Sequence, residues 1–556
     1  TIFNLTCMKI KTLLILIMVG YITMAQQKTI FKNGKIYTVN PKNPIVEVLV
    51  VEENRILFAG TEKAAEKYID KEDKIIDLGG KLMLPGFIDN HTHFISGGMY
   101  LNGINLRNVK SSEEFTTVIR EYVKGKEGRW ITGGNWDHEM WETKKYPDKS
   151  LIDPFTPNTP VLVDRLDGHS ALANSYALKL AGITRDTPNP DGGVIEKDHV
   201  TGEPTGILKD KAITMMMKIV PDPSDAEYEE ALQTALTEAY KNGVTSVQDI
   251  THKKDLSIFK KFESEDKLTC RIYTRMPIKE YRTLVDAGIK VGFGTDKIKM
   301  GSLKAFADGS LGSSTAWFWE HYHQDSTTCG LPMDIVLSGE LKEWAKDADK
   351  NQLQLSIHAI GDRANSYILD MYEEIANTNP KWDRRFRIEH AQHLKTSDIP
   401  RFKELGVIAS AQALHLLDDG EWAEKRIGKE RIKNTYPFKS LLDAGVHICF
   451  GSDWAVAPLE PIKGIYAAVT RNTRDGKNPD GWVPEEKISV ADAISAYTIN
   501  SAFAAFEEND KGSLEPGKLA DMVVLSDDIL SINPEEIKNV NVVMTVFDGK
   551  IIYEQK

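Results

Sequence analysis

The stretch LMLPGFIDNHTH, residues 82–93, decides the reading of this chain. An apolar run leads straight into two histidines separated by one residue. In an extended strand side chains i and i+2 share a face, so His91 and His93 can turn toward one cation. The pair alone is weak evidence, because unrelated histidines meet this spacing easily. Its weight depends on what the rest of the chain sets beside it.

Toward the C-terminus seven more short apolar runs alternate with helical stretches. They are GVTSVQDI (243–250), LTCRIYTRM (268–276), KIKMGSLKAFAD (297–308), LQLSIHAI (353–360), FRIEHAQ (386–392), VIASAQ (407–412) and HICFGSD (447–453). This alternation marks βα units around a parallel sheet. Eight such strands predict an α/β fold, a (β/α)8 TIM barrel. One interval breaks the rhythm. The first two strands lie about 150 residues apart, where a βα unit takes about 30. An inserted subdomain after the first barrel strand, at about 95–240, accounts for the gap, and we expect it over the barrel mouth.

The two ends of the chain share another style. TIFKNGKIYTV, VEVLVVEENRILFAG and KIIDLGGKLMLPGF alternate apolar and polar residues between turn signals, as do ADMVVLSDD and VNVVMTVFDGKIIYEQ near the C-terminus. NGKIYTV and DGKIIYE echo each other across the whole length. Residues 26–84 and 506–556 are therefore expected to build one small β-sandwich from both ends, or else two edge hairpins, bracketing a barrel at 85–505.

Before that lies MKIKTLLILIMVGYITMAQQ, from Met8. Lys9 and Lys11 precede an apolar run that ends at the small Ala25, the order of a secretory signal peptide cleaved before Gln26. Residues 1–7 read as translated upstream sequence. The expectation is export to the periplasm or medium, with no stable membrane span after processing, since the run is short for a span. The net charge of −12 over 556 residues argues against a nucleic-acid partner. The apolar fraction of 41% and charged fraction of 27% are those of an ordinary soluble enzyme. Cys7, Cys270, Cys329 and Cys449 are scattered without zinc-finger spacing and read as small hydrophobes. A homo-oligomer is compatible with all of this.

The chemistry sits at strand ends. His358 ends the fifth strand, His390 the sixth and Asp453 the eighth, and TIM barrels carry their chemistry at that mouth. Three imidazole-bearing strands and a carboxylate supply donors suited to zinc, with Zn–N distances of roughly 2.0–2.1 Å. Lys304 lies inside the apolar fourth strand, where an ammonium loses its water at high cost. On residue chemistry alone an ion pair with Asp308 or another acid is the leading account; a carboxylated lysine bridging two cations is the other.

At this point the chain resembles the amidohydrolase superfamily, through LPGFIDNHTHF, the strand-end His358 and His390, and GSDWAVAP. More narrowly it resembles amidohydrolase family 3, the YtcJ-like group that includes N-substituted formamide deformylase. WITGGNWDHEMW (130–141), LVDRLDGHSALANSYAL (162–178), GEPTGILKDKA, LKAFADGSLGSSTAWF, SIHAIGDRA, RIEHAQ, SAQALH and GSLEPGKLADMVVL carry that likeness. The resemblance implies the barrel and the two-ended sandwich. It implies His91, His93 and Asp453 on one metal, His358 and His390 on a second, and Lys304 carboxylated between them, with one or two divalent metals per chain.

A small-molecule substrate follows. The expected reaction is cleavage of an amide-type, non-peptide C–N bond by metal-activated water, with Asp453 as general base or, more simply, as a ligand only. His169, Trp136, Gln412 and His415 are the expected substrate contacts, His169 through the family motif. His321 and His323 form a second HxH in an acidic, aromatic connection and read as surface residues. Ester, lactone or deamination chemistry on the same site, or a non-catalytic binding protein, are the alternatives, because one barrel hosts many functions.

Overall fold

A computed structural model describes residues 27–165 and 169–555; the expected signal segment lies outside them. The chain parts into two compact units. One holds the residues up to Thr92, Glu238–Lys253 and Phe262 onward; the other holds His93–Thr237 and Lys254–Lys261. Among the described residues no helix is long and apolar enough to cross a membrane.

The first unit carries the barrel. Its strands are β1 (Phe87–Thr92), β2 (Val244–Ile250), β3 (Arg271–Pro277), β4 (Ile298–Phe306), β5 (Gln354–Ala359), β6 (Arg387–His390), β7 (Ile408–Ala411) and β8 (Ile448–Phe450). They pair in chain order, every neighbour parallel. The runs are mostly apolar and almost wholly buried because both faces are covered. The helix Asp362–Thr378 shows how the covering works. Ala364, Ile368, Leu369, Tyr372 and Ile375 recur at helical spacing and are buried, and the Tyr372 hydroxyl donates to the Arg387 carbonyl at 2.8 Å.

The ring closes between β8 and β1. Thr92 and Trp454 form a parallel bridge. The Asp453 N–H donates to the His91 carbonyl at 2.7 Å, and the Ser452 N–H donates to the Asp89 carboxylate at 3.0 Å. Asp89 is fully buried, and burial pushes its carboxyl up to about 6. The eight expected strands are the eight observed.

One sequence expectation needs correcting. LMLPGFIDNHTH is not one barrel strand. Leu82–Pro85 belongs to the sandwich, Phe87–Thr92 to the barrel, and Gly86 divides them. Gly86 donates its N–H to the Asp521 carbonyl at 2.9 Å, and a Cβ there would stand 2.2 Å from Thr245 Oγ1. Gly86→Ala is therefore expected to destabilise the protein by about 1–3 kcal/mol, the usual cost of forcing atoms into a filled space. Denaturant unfolding checks this; an unchanged midpoint would show that Thr245 moves aside freely.

Two sheets form the sandwich. One joins Arg55–Gly60, Val48–Glu52, Thr29–Lys32 and Lys74–Asp77; the other joins Lys550–Glu554, Val542–Phe547, Met522–Leu525, Leu82–Pro85, Lys35–Tyr37 and Ile45–Val46. Leu82–Pro85 pairs antiparallel with Met522–Leu525, so the second sheet is built from both ends of the chain. Phe31, Leu49, Met83, Met522, Val524 and Val546 fill the space between. The sequence echo serves two geometries. Asp548 and Gly549 both have positive φ, the requirement of a tight type I′ hairpin, and join two strands of one sheet. Asn33, also at positive φ, instead carries the chain from one sheet to the other.

The second unit has its own mixed six-stranded sheet, in the order Gly193–Lys197, Pro204–Asp210, Ser170–Ala173, Val161–Arg165, Ile131–Trp136 and Ile104–Asn105. Apolar clusters pack against it, one around Phe115, Trp136, Trp141 and Val163, the other around Leu162, Leu178, Leu208 and Met216.

Candidate metal centre

Parallel strands in a barrel bring all their C-terminal ends to one rim. His91 lies near the end of β1, Lys304 near the end of β4, His358 in β5 and His390 at the end of β6; Asp453 follows β8. His93 comes directly after Thr92. Ligand atoms of His91, His93 and Asp453 all lie within 4.8 Å of one another, and His91 Nε2 stands 3.4 Å from Asp453 Oδ1. The His91 and His390 rings are 5.0 Å apart by centroid, and those of His390 and His358 are 4.4 Å apart. The structure thus brings the expected histidines and the aspartate together. His390, Ala391 and Asp453 have φ of 73°, 44° and 58°. Left-handed backbone costs non-glycine residues of order 1–3 kcal/mol each and collects at functional sites.

Burial favours the neutral form of two of these imidazoles. It pulls His91 down to about 3, with the charge of Lys304 adding to it, and holds His390 well below its ordinary value, with His358 next in weight. Neutral imidazole is the form that binds a metal. His358 donates from Nε2 to the Gly309 carbonyl at 3.1 Å, which leaves Nδ1 buried without a hydrogen-bond partner. Lys304 Nζ is likewise buried and unpartnered, and burial pulls its pKa down to about 7. Its expected pairing with Asp308 does not form. Asp308 accepts instead from the N–H groups of Ile360, Gly361 and Trp317 at 3.0, 2.8 and 2.8 Å and lies 3.3 Å from His358 Nε2. Two orphaned nitrogens beside a cluster of imidazoles and a carboxylate are what a site shaped for divalent cations requires.

A buried charge cluster under this rim escaped the sequence reading. Glu389 is fully buried, and His91 Nδ1 donates to its Oε2 at 2.5 Å. Arg275 Nη1 lies 2.7 Å from the same oxygen and Arg387 Nε 3.0 Å from Oε1, while the Ser410 hydroxyl donates at 2.7 Å. Burial alone would push the Glu389 carboxyl up; Arg275 and Arg387, then His91, overcome it and hold it well below the usual range. An anion on Nδ1 fixes His91 in the tautomer whose Nε2 lone pair is available for a cation. The missed signal was charge inside apolar strands: Arg275 in RIYTRM, and Arg387 with Glu389 at i and i+2 in RIEH.

Glu389→Gln keeps the shape but removes the anion, so metal affinity is expected to fall by about 10–100-fold. Chelator competition measures it. Unchanged affinity would leave Glu389 only the task of neutralising two arginines.

The remaining candidates fall into two groups. His415 donates from Nε2 to the Ser452 carbonyl at 3.0 Å and so holds the residue before Asp453. Gln412 is buried just past β7, its Nε2 3.4 Å from the Ser410 carbonyl. Trp136 and His169 belong to the second unit. Trp136 is fully buried in that unit's core against Phe115, and its indole N–H donates to the Val163 carbonyl at 2.8 Å. Packing uses up its surface and its one donor, so the expected substrate contact gives way to a core role. His169 is exposed and donates to Asp210 at 2.8 Å. His321 and His323 are exposed, as expected.

Imidazoles and a carboxylate gathered at the strand ends of a TIM barrel define a metal-dependent hydrolase. The chain belongs to the amidohydrolase family, whose model matches residues 74–553. Protein LONG AFTER FAR-RED 3 of Arabidopsis thaliana is 39% identical, over 94% of this chain and 91% of its own. The putative amidohydrolase YtcJ of Bacillus subtilis is 32% identical, over 95% and 100%. N-substituted formamide deformylase of Arthrobacter pascens is 26% identical, over 94% and 98%. Among solved structures, a metal-dependent hydrolase from Pyrococcus furiosus superposes with a TM-score of 0.76 at 30% identity, over 91% of this chain and all of that one.

Proposed function

We propose that this amidohydrolase cleaves a non-peptide, amide-type C–N bond in a small molecule by attack of activated water. The observation that carries the reading is the strand-end set itself, with His91, His93 and Asp453 within 4.8 Å of one another and orphaned nitrogens on His358 and Lys304 beside them. The relative named a formamide deformylase supports the bond type. His91, His93 and Asp453 would hold one zinc, and His358 with His390 a second, Lys304 joining them as a carbamate.

When bound, such a cation lowers the pKa of a water from about 15.7 toward 7 and polarises the carbonyl. The chain supplies the rest. The Asp453 carboxylate takes a proton from the attacking water as its oxygen bonds to the carbonyl carbon. Asp453 then gives that proton to the nitrogen as the C–N bond breaks, which leaves an acid and an amine. Glu389 keeps His91 in one tautomer throughout, and the His415 bond to Ser452 steadies the loop that carries Asp453. The reading includes export of the chain; the N-terminal residue of protein recovered from its host tests that part, and a mature chain retaining Lys9 would overturn it.

The decisive experiment screens the zinc-loaded protein against N-formyl amines, N-acyl amino acids, hydantoins and aryl esters, with metal counted per chain. Turnover of amides supports the reading. Turnover of esters alone replaces it with esterase chemistry, and a metal-free, inert protein replaces it with a binding role.

A further inference from the structure

We propose that Phe306 forms a subsite for an apolar group, aryl or alkyl, that the substrate carries beside its scissile bond. The inference rests on the reading above, that a carbonyl compound reacts at this centre.

Phe306 is the last residue of β4, two positions beyond Lys304, and so shares its face of the strand. Lys304 Nζ lies 4.5 Å from the centre of the Phe306 ring, and the ring centroid is 5.1 Å from that of His358. The strand is buried from Gly301 to Ala305, yet Phe306 is 40% exposed. A phenyl ring thus stands in water within one ring's width of two candidate ligands. Phenylalanine offers no hydrogen bond and no proton, so it adds nothing to the chemical step. What it offers is an apolar face, which is costly to leave wet and gains when covered.

The next segment is pinned to the end of this strand. Pro332 bridges to Asp308, and the Met333 N–H donates to the Ala307 carbonyl at 2.9 Å. This ties residues 331–333 to the two positions that follow Phe306. Leu331 and Met333 are both exposed. Two large apolar residues are thus exposed on the segment pinned there, and Phe306 itself meets water beside a centre otherwise built from imidazoles and charges. Ligand sites have this composition, mostly apolar with a few placed polar groups. With its carbonyl held among His91, His358, His390 and Asp453, a substrate bearing an apolar group one or two bonds away would lay that group over the Phe306 ring. A small or polar substituent would leave the ring wet.

The test compares N-(2-phenylethyl)formamide with N-methylformamide on the metal-loaded full chain, and phenylacetate with acetate as ligands in calorimetry. The native protein should favour the phenylethyl substrate, and Phe306→Ala should shrink that kcat/KM ratio by about tenfold, the scale of a lost apolar pocket contact. Phe306→Leu, which keeps an apolar side chain, should retain most of the preference. A ratio that Phe306→Ala leaves unchanged overturns the proposal. If the native protein hydrolyses neither amide, it is the amide reading that fails, and the binding arm decides this one. Tighter binding of phenylacetate that disappears in Phe306→Ala upholds the subsite; equal binding of the two acids by the native protein overturns it.

Discussion

Asp453→Asn is expected to lower turnover by about 10²–10⁴-fold, the contribution of a positioned general base. Asparagine has the same size and keeps an oxygen that can face His91, 3.4 Å away in the native protein. It cannot accept a proton at neutral pH. The variant therefore separates the two tasks proposed for one carboxylate. Metal should remain countable in the protein at high zinc, while the rate stays low. If excess zinc instead restores the rate, Asp453 is a ligand and nothing more. The positive φ of 58° at this residue makes the amide a better choice than alanine, because the loop conformation is already strained.

Lys304→Ala is expected to lose at least one metal per chain and most of the activity. Residues that merely support a metal ligand cost about 10–100-fold in affinity when replaced, so loss of a ligand should cost at least that much. Lys304 is buried in β4, its amine has no hydrogen-bond partner, and burial has brought its pKa to about 7. Burial favours the neutral amine, the form that can react with carbon dioxide, and the resulting carbamate would put negative charge where cations would bind. Added formate or acetate should then restore part of the loss by filling the gap. A variant that keeps two metals and near-normal turnover would make Lys304 a structural residue.

The barrel was legible because its strands are buried on both faces and read as mostly apolar runs, and its candidate ligands because a histidine or aspartate ending such a run has left the core for the rim. The sequence could not show who stands opposite whom. Asp308 lies four residues from Lys304 and looked like its partner, yet three backbone N–H groups from other segments take its carboxylate. Glu389, Arg275 and Arg387 come from two separate strands, and each alone looked like an oddity in an apolar run. The principle that flagged Lys304, that buried charge demands compensation, applied to them equally. Trp136 misled for a different reason. It lies in a motif rich in aromatic and charged residues, and one sequence does not tell a motif kept for packing from one kept for binding. The break at Gly86 was hidden because an apolar run does not reveal a change of sheet.

The pairing of Leu82–Pro85 with Met522–Leu525 bears on the order in which the chain is made. During synthesis His91 and His93 leave the ribosome long before Met522–Leu525, and until then Leu82–Pro85, the strand just ahead of theirs, has only Lys35–Tyr37 beside it. A nascent chain can assemble helices and some βα units on the way, yet its sandwich cannot close. A product that stops before Met522 would leave one edge of Leu82–Pro85 bare, next to the strand that carries His91 and open to association with other chains. Completion of translation and completion of the site are thus linked through one strand pair, and a prematurely ended chain is marked by exposed backbone near the residues that give the finished one its chemistry.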